Sequence, residues 1–185
     1  MPNVLSIFSG GGGIDCGFKK AGFDICFSTD FWRPACETLE KNKVGRLVKC
    51  ADIREVNYKD ELSKIGLSTS DIDVLVGGPP CPAYSKSRFY RTDEKRALDD
   101  KNSFTLREYF RALDEIRPKV FLFENVFGFI YKPHQPAFDL LRAKAEEFGY
   151  DIVYRVVNTA DYGVPQTRER FLCVGIKRGE GNPFV

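Results

Sequence analysis

Histidine is nearly absent: His134 is the only one in 185 residues. Six cysteines (Cys16, Cys26, Cys36, Cys50, Cys81 and Cys173) are scattered with no C-x-x-C pair. No set of side chains therefore has the spacing a zinc site needs. Zinc nucleobase deaminases also carry Pro-Cys near their chemistry, but they require His-x-Glu upstream and a second cysteine three residues on, and both are missing. There is no internal repeat, no low-complexity tract and no apolar run of membrane-spanning length. The first residues show neither a charged leader nor a cleavable apolar stretch, which with the unpaired cysteines points to reduced thiols in a cytoplasmic protein. Excess charge is missing too. A net +2 and a pI near 8.2 mean that any case for a polyanionic partner rests on where cations cluster, not on their total.

What is present is enough apolar residue, 43% of the chain, for one domain spanning residues 1–185. A domain of this size buries roughly 70% of its unfolded surface. Apolar runs alternate with amphipathic stretches in a β-α-β-α rhythm, which predicts a mostly parallel sheet with helices on both faces. Strands are predicted at Val4 to Phe8, Asp24 to Ser28, Leu47 to Cys50, Val74 to Val76 and Val120 to Phe123. Helices are predicted near 14–21, 33–42, 103–116 and 135–148. The runs Ile152 to Val157 and Arg170 to Ile176 have only turn-rich sequence between them and are predicted to pair antiparallel, closing the sheet as a hairpin.

Two loops carry the chemistry. Phe8-Ser9-Gly10-Gly11-Gly12-Gly13 follows the first strand and opens a helix, where bare backbone and helix amides let a nucleoside cofactor approach closely. Neither the dinucleotide fingerprint nor the phosphate-binding P-loop is completed by the residues that follow. Asp30 at the end of the second strand is an acid suited to ribose hydroxyls, and Phe31 beside it offers a ring face; Asp52-Ile53 repeats the acid and apolar pairing after the third strand. Taken singly, each acid reads first as a helix cap or a surface group, and the glycine run is compatible with a loop that binds nothing. Their joint placement at successive strand ends favours a pocket. The second loop begins at Gly77-Gly78-Pro79-Pro80-Cys81, just past the fourth strand, and continues through Tyr84, Ser85, Lys86, Arg88, Phe89, Tyr90, Arg91, Lys95 and Arg96. Cations grip phosphates and rings stack on bases, so a polynucleotide entering beside the Cys81 thiol fits this composition better than a solvated surface loop does.

In this order, the motifs resemble those of the cytosine-5 DNA methyltransferases over nearly the whole chain. Phe8-Ser9-Gly10-x-Gly12-Gly13 is similar to that family's cofactor loop, and Asp30-Phe31 to its ribose acid and adenine-stacking ring. Pro79-Pro80-Cys81 is similar to its nucleophile motif, Glu124-Asn125-Val126 to its acidic tripeptide and Gln166-Thr167-Arg168-Glu169-Arg170 to its late Gln-x-Arg-x-Arg element. Phe104 resembles a further cofactor contact. The resemblance implies a Rossmann-like S-adenosylmethionine-dependent fold without a metal, S-adenosylhomocysteine as product, and double-stranded DNA as partner. It implies that Cys81, as thiolate, adds to carbon 6 of a flipped-out cytosine, with Glu124 at the ring edge, Arg170 at the base carbonyl and Arg168 at the cleft or a phosphate. Ser85, Arg88, Asn125 and Gln166 are implied on the substrate side, with Asn125 supporting the loop geometry. A bacterial modification or restriction-modification setting follows by analogy. Pro82 stands where the family commonly has Gln, and Tyr84 where Phe is usual. The family's target-recognition domain and last two motifs have no counterpart before Val185, so a fragment, or one subunit of a split enzyme with a second chain, is expected. A related tRNA cytosine methyltransferase and a non-catalytic binding module are the alternatives.

Overall fold

The computed structural model describes residues 1–80, 104–131 and 135–180. The basic, aromatic loop with Cys81, Ser85 and Arg88 lies outside the described residues. Seven strands form one sheet in the order β3-β2-β1-β4-β5-β7-β6: β1 (Asn3–Ile7), β2 (Asp24–Asp30), β3 (Leu47–Cys50), β4 (Val74–Gly77), β5 (Val120–Val126), β6 (Tyr150–Asn158) and β7 (Glu169–Lys177). The first five are parallel, while β7 runs antiparallel between β5 and β6. The predicted hairpin thus closes the sheet with its second arm inward: β7, the more buried of the two, lies beside β5 and leaves β6 at the edge.

Burial explains why these runs are strands. Leu5, Ile7, Phe27 and Leu75 are fully buried, as expected for parallel strands covered on both faces. Helix α4 (Phe104–Ile116) packs Tyr109 edge-on against Phe123 at 5.1 Å, and the Tyr109 hydroxyl donates to the Leu122 carbonyl at 3.0 Å. That single contact satisfies a buried phenol while packing the helix on the sheet. The core continues through Phe129, Phe138 and Phe171 beneath α5 (Gln135–Glu147). Fully burying an aromatic of this kind is worth about 1.5–3 kcal/mol. A six-residue helix, α3 (Tyr58–Ser63), is too short to announce itself by periodicity and is not expected from the sequence.

Strand β1 is central, with β2 on one side and β4 on the other, so the loops after β1 and β4 diverge and open a crevice at their carboxyl ends. The chain leaves β1 through Phe8, whose φ of +54° is left-handed, an uncommon conformation for a bulky residue that clusters at functional sites. Gly12 then caps α1 (Gly13–Lys20) at φ +84°. A Cβ there would stand 2.6 Å from Leu39 on α2 (Arg33–Lys41), so only glycine lets α1 pack this close.

Candidate functional site: a nucleoside-sized cavity beside a buried ion pair

A cavity of about 400 Å³ opens in this crevice, a volume suited to a small ligand. Phe8, Asp30, Phe31, Asp52, Ile53 and Phe104, all predicted cofactor residues, line it. Pro80, from the nucleophile motif, completes the wall with Thr29, Ala51 and Thr105, which carry no sequence signal, apart from Thr105 standing next to Phe104. Gly10, Gly12 and Gly13, also predicted as cofactor residues, are not part of the lining. The Gly10 amide donates to Asp30 Oδ2 at 2.8 Å and the Trp32 amide to Oδ1 at 2.9 Å, so the carboxylate is oriented by backbone from two loops. Each oxygen keeps a lone pair for a ligand hydroxyl. Phe31 is 71% exposed and presents a ring face at the rim.

Asp52 is more than the free acid expected of it. It caps the turn Ile53–Glu55 by accepting from the Arg54 amide at 3.0 Å, and the Arg54 guanidinium grips both its oxygens, Nε to Oδ1 at 3.0 Å and Nη2 to Oδ2 at 2.6 Å. That pairing holds the Asp52 carboxyl down at about 2. Beneath the glycine loop, the fully buried Asp15 accepts from Ser6 Oγ at 2.6 Å and Ser28 Oγ at 2.8 Å, and Ser6 Oγ in turn meets Ser9 Oγ at 2.8 Å. Burial pushes the Asp15 carboxyl up despite both serines. Nothing in the local sequence pattern foreshadows this lock between β1, β2 and α1.

The second half of the site lies where β5 meets β4 and β7. The β5–β7 register sets Glu124 opposite Leu172 and Val126 opposite Arg170, so Glu124 and Arg170 are diagonal neighbours on one face. Arg170 Nε meets Glu124 Oε1 at 2.7 Å, with the side chains only 19% and 26% exposed. Burial raises the Glu124 carboxyl, opposed by Arg170 and, more weakly, by Arg168. Arg170 is therefore engaged with Glu124 in this structure, where the family resemblance implies that it reaches a base. Glu124 Oε2 lies 2.7 Å from where a Cβ on Gly78 would stand, so the carboxylate rests directly on the backbone at the exit of β4. Asn125 is 3% exposed and faces inward, where its Nδ2 donates to the Pro79 carbonyl at 3.3 Å. It braces the strand exit. Thr105 Oγ1 does the same for Pro80 at 3.0 Å. Arg168 and Gln166 are exposed at the approach to β7.

Pro80 lines the cavity and stands two residues after Gly78, on which Glu124 rests, so the strand exit links the cavity to the acid and leads on in sequence to Cys81. Among the described residues no group of three or more His, Cys, Asp or Glu side chains could hold a metal ion. No described helix is long and apolar enough to cross a membrane.

Sheet order, reversed β7 and crevice together define an α/β methyltransferase domain of the S-adenosylmethionine-dependent class. More narrowly, the chain belongs to the C-5 cytosine-specific DNA methylases, whose family model matches residues 2–184. It is 37% identical to the Type II methyltransferase M.SacI of Streptomyces achromogenes, over 98% of this chain and 49% of that protein. To M.AquIA of Picosynechococcus it is 32% identical over 98% of this chain, which is 74% of that shorter relative. A solved structure assigned as a DNA modification methyltransferase from an E. coli prophage superposes with a TM-score of 0.79 at 28% identity, covering 96% of this chain and 47% of that one. Dnmt2 methyltransferase of S. pombe shares the fold, with a TM-score of 0.69 at 20% identity. The chain spans about half the length of most of the curated relatives it matches.

Proposed function

We propose that this chain is the cofactor-binding and catalytic half of a bacterial DNA cytosine-5 methyltransferase of the restriction-modification type. The observation that carries the proposal is the Glu124–Arg170 pair seated on Gly78, at the strand exit that leads through Pro79 and the cavity-lining Pro80 to Cys81. The cavity residues fit an adenosine: Asp30 offers two fixed acceptors to vicinal hydroxyls, and Phe31 and Ile53 offer apolar faces to a base. When bound, S-adenosylmethionine supplies an electrophilic methyl group.

The chain's own residues do the rest. Cytosine carbon 5 is a poor nucleophile until carbon 6 is attacked, so Cys81, as thiolate, forms a bond to carbon 6 and pushes electron density onto carbon 5. Glu124, its carboxyl raised by burial, holds nitrogen 3 and the exocyclic amine and stabilises the charge that develops on addition. Arg170 keeps that carboxylate in place and stands beside it for the base carbonyl. After methylation, loss of the carbon 5 proton re-forms the double bond and expels the thiolate. The target carbon is inaccessible in a duplex, so the base must be flipped out, at a cost of a few kcal/mol.

The test is transfer of tritiated methyl from S-adenosylmethionine to mixed-sequence DNA and to tRNA, with Cys81→Ser as control. Label in DNA that the control lacks supports the proposal, and label in tRNA alone replaces it with an RNA methyltransferase.

A further inference from the structure

Arg54 has no part in the proposed chemistry, yet it joins two walls of the cavity that are far apart in sequence. Its guanidinium grips both oxygens of Asp52, on the turn after β3, and lies 4.7 Å from the centre of the Phe104 ring, the first residue of α4. Asp52 and Phe104 both line the cavity; Arg54 lies outside it, with its side chain 60% exposed. The planar fork suits both contacts, because its edge meets the carboxylate while its face covers the ring, which an ammonium cannot do at once. The inner side of the same turn is secured independently, since Arg111 on α4 donates to the Ile53 carbonyl at 2.7 Å and the Val56 carbonyl at 3.3 Å. Arg54 is thus not needed to hold the turn on the domain. It sets the side chains on the turn's outer edge.

Resting on the reading of the cavity as a nucleoside site, we propose that Arg54 is a positioning residue for the nucleoside end of the cofactor, a clasp that holds Asp52 and Phe104 at the spacing an adenosine needs. Phe104 also adjoins Thr105, which braces the Pro80 carbonyl, so the clasp lies on the same helix start that supports the approach to Cys81.

The experiment is calorimetric binding of S-adenosylhomocysteine and of adenosine to the 185-residue chain, its Arg54→Ala, Arg54→Lys and Phe104→Ala variants and the Arg54→Ala/Phe104→Ala double variant, with thermal unfolding alongside. Loss of an exposed clasp of this kind is expected to weaken both ligands about three- to tenfold. The unfolding midpoint should stay near that of the wild type. Lysine should restore only part of the affinity, and the double variant should lose less than the sum of the two single losses, because the contact of Arg54 with Phe104 is broken in both. Arg54→Ala binding both ligands as tightly as wild type, or losses from the two single variants that simply add, would overturn the clasp while leaving the cavity assignment intact. A wild-type chain that binds neither ligand would overturn both.

Discussion

Removing Arg170 strips the buried Glu124 carboxylate of its nearest cation, and the consequence should depend on pH. The pair is short, 2.7 Å, and both side chains are about four-fifths or three-quarters covered. Breaking a fully buried pair from one side costs about 3–5 kcal/mol, and the remaining exposure here brings the figure to about 1–3 kcal/mol. The sign follows from protonation. Burial already raises the Glu124 carboxyl above its ordinary 4.5, so the folded chain holds that proton more tightly than the unfolded chain does. Its contribution is fully present below the unfolded pKa and is lost as pH rises through the folded one. Arg170→Ala lifts the folded value further. The variant should therefore lose less at pH 4, where protonation of the carboxyl weakens the pair, than at pH 8, where the loss should be about 1–3 kcal/mol. Urea unfolding of wild type, Arg170→Ala, Glu124→Gln and the double variant at both pH values measures this. The double variant should recover much of the loss, since no charge is left stranded. A loss of equal size at pH 4 and pH 8, or one that simply adds to that of Glu124→Gln, would refute the ion-pair argument and leave only lost packing.

Three other substitutions test separate parts of the site. Gly78→Ala drives a methyl to 2.7 Å from Glu124 Oε2; it should cost about 1–3 kcal/mol in urea unfolding and slow methyl transfer, because the carboxylate must move to admit it. Asp30→Ala frees the Gly10 and Trp32 amides and should weaken S-adenosylhomocysteine at least tenfold; Trp32, the only tryptophan, reports this as a smaller ligand-induced fluorescence change. Asp15→Leu leaves the Ser6 and Ser28 hydroxyls without their acceptor inside the core and should cost about 2–4 kcal/mol in the same unfolding assay.

The strands are legible because each is a short apolar run bounded by glycine, proline or charge. Leu47–Cys50 matches its predicted run to the residue, and β5 and β6 outrun theirs chiefly at polar ends, where Glu124, Asn125 and Asn158 break the apolar pattern but keep the ladder. Strand order is another matter. That β1 is central, and that β7 inserts beside β5, are facts of long-range pairing that no local pattern carries. Phe8, Asp30, Phe31, Asp52 and Ile53 can be proposed from sequence because they lie at or within three positions of strand ends, whereas Phe104, at the start of α4, comes from the resemblance alone. The partners that orient them cannot. Arg170 reaches Glu124 across 46 positions through the β5–β7 register, Arg54 reaches Phe104 only once α4 has docked, and Asp15 looks in sequence like any acid in a helix's first turn until β1 and β2 bring two serines to it. Asn125 is expected on the substrate side in support of the loop geometry, but its motif does not name the partner; the alternation of β5 turns it inward, onto the Pro79 carbonyl.

The central claim is that Cys81 attacks cytosine in DNA, and it can be tested by trapping the adduct. Replacing the target carbon 5 hydrogen with fluorine leaves no proton to remove after methylation, so the thiolate cannot be expelled. Incubating the chain with 5-fluorocytosine-containing duplex DNA and S-adenosylmethionine, then mapping the cross-linked peptide by mass spectrometry, should show DNA bound at Cys81 and nowhere else, and none with Cys81→Ser. An adduct on another residue, or one that persists in Cys81→Ser, would contradict the account.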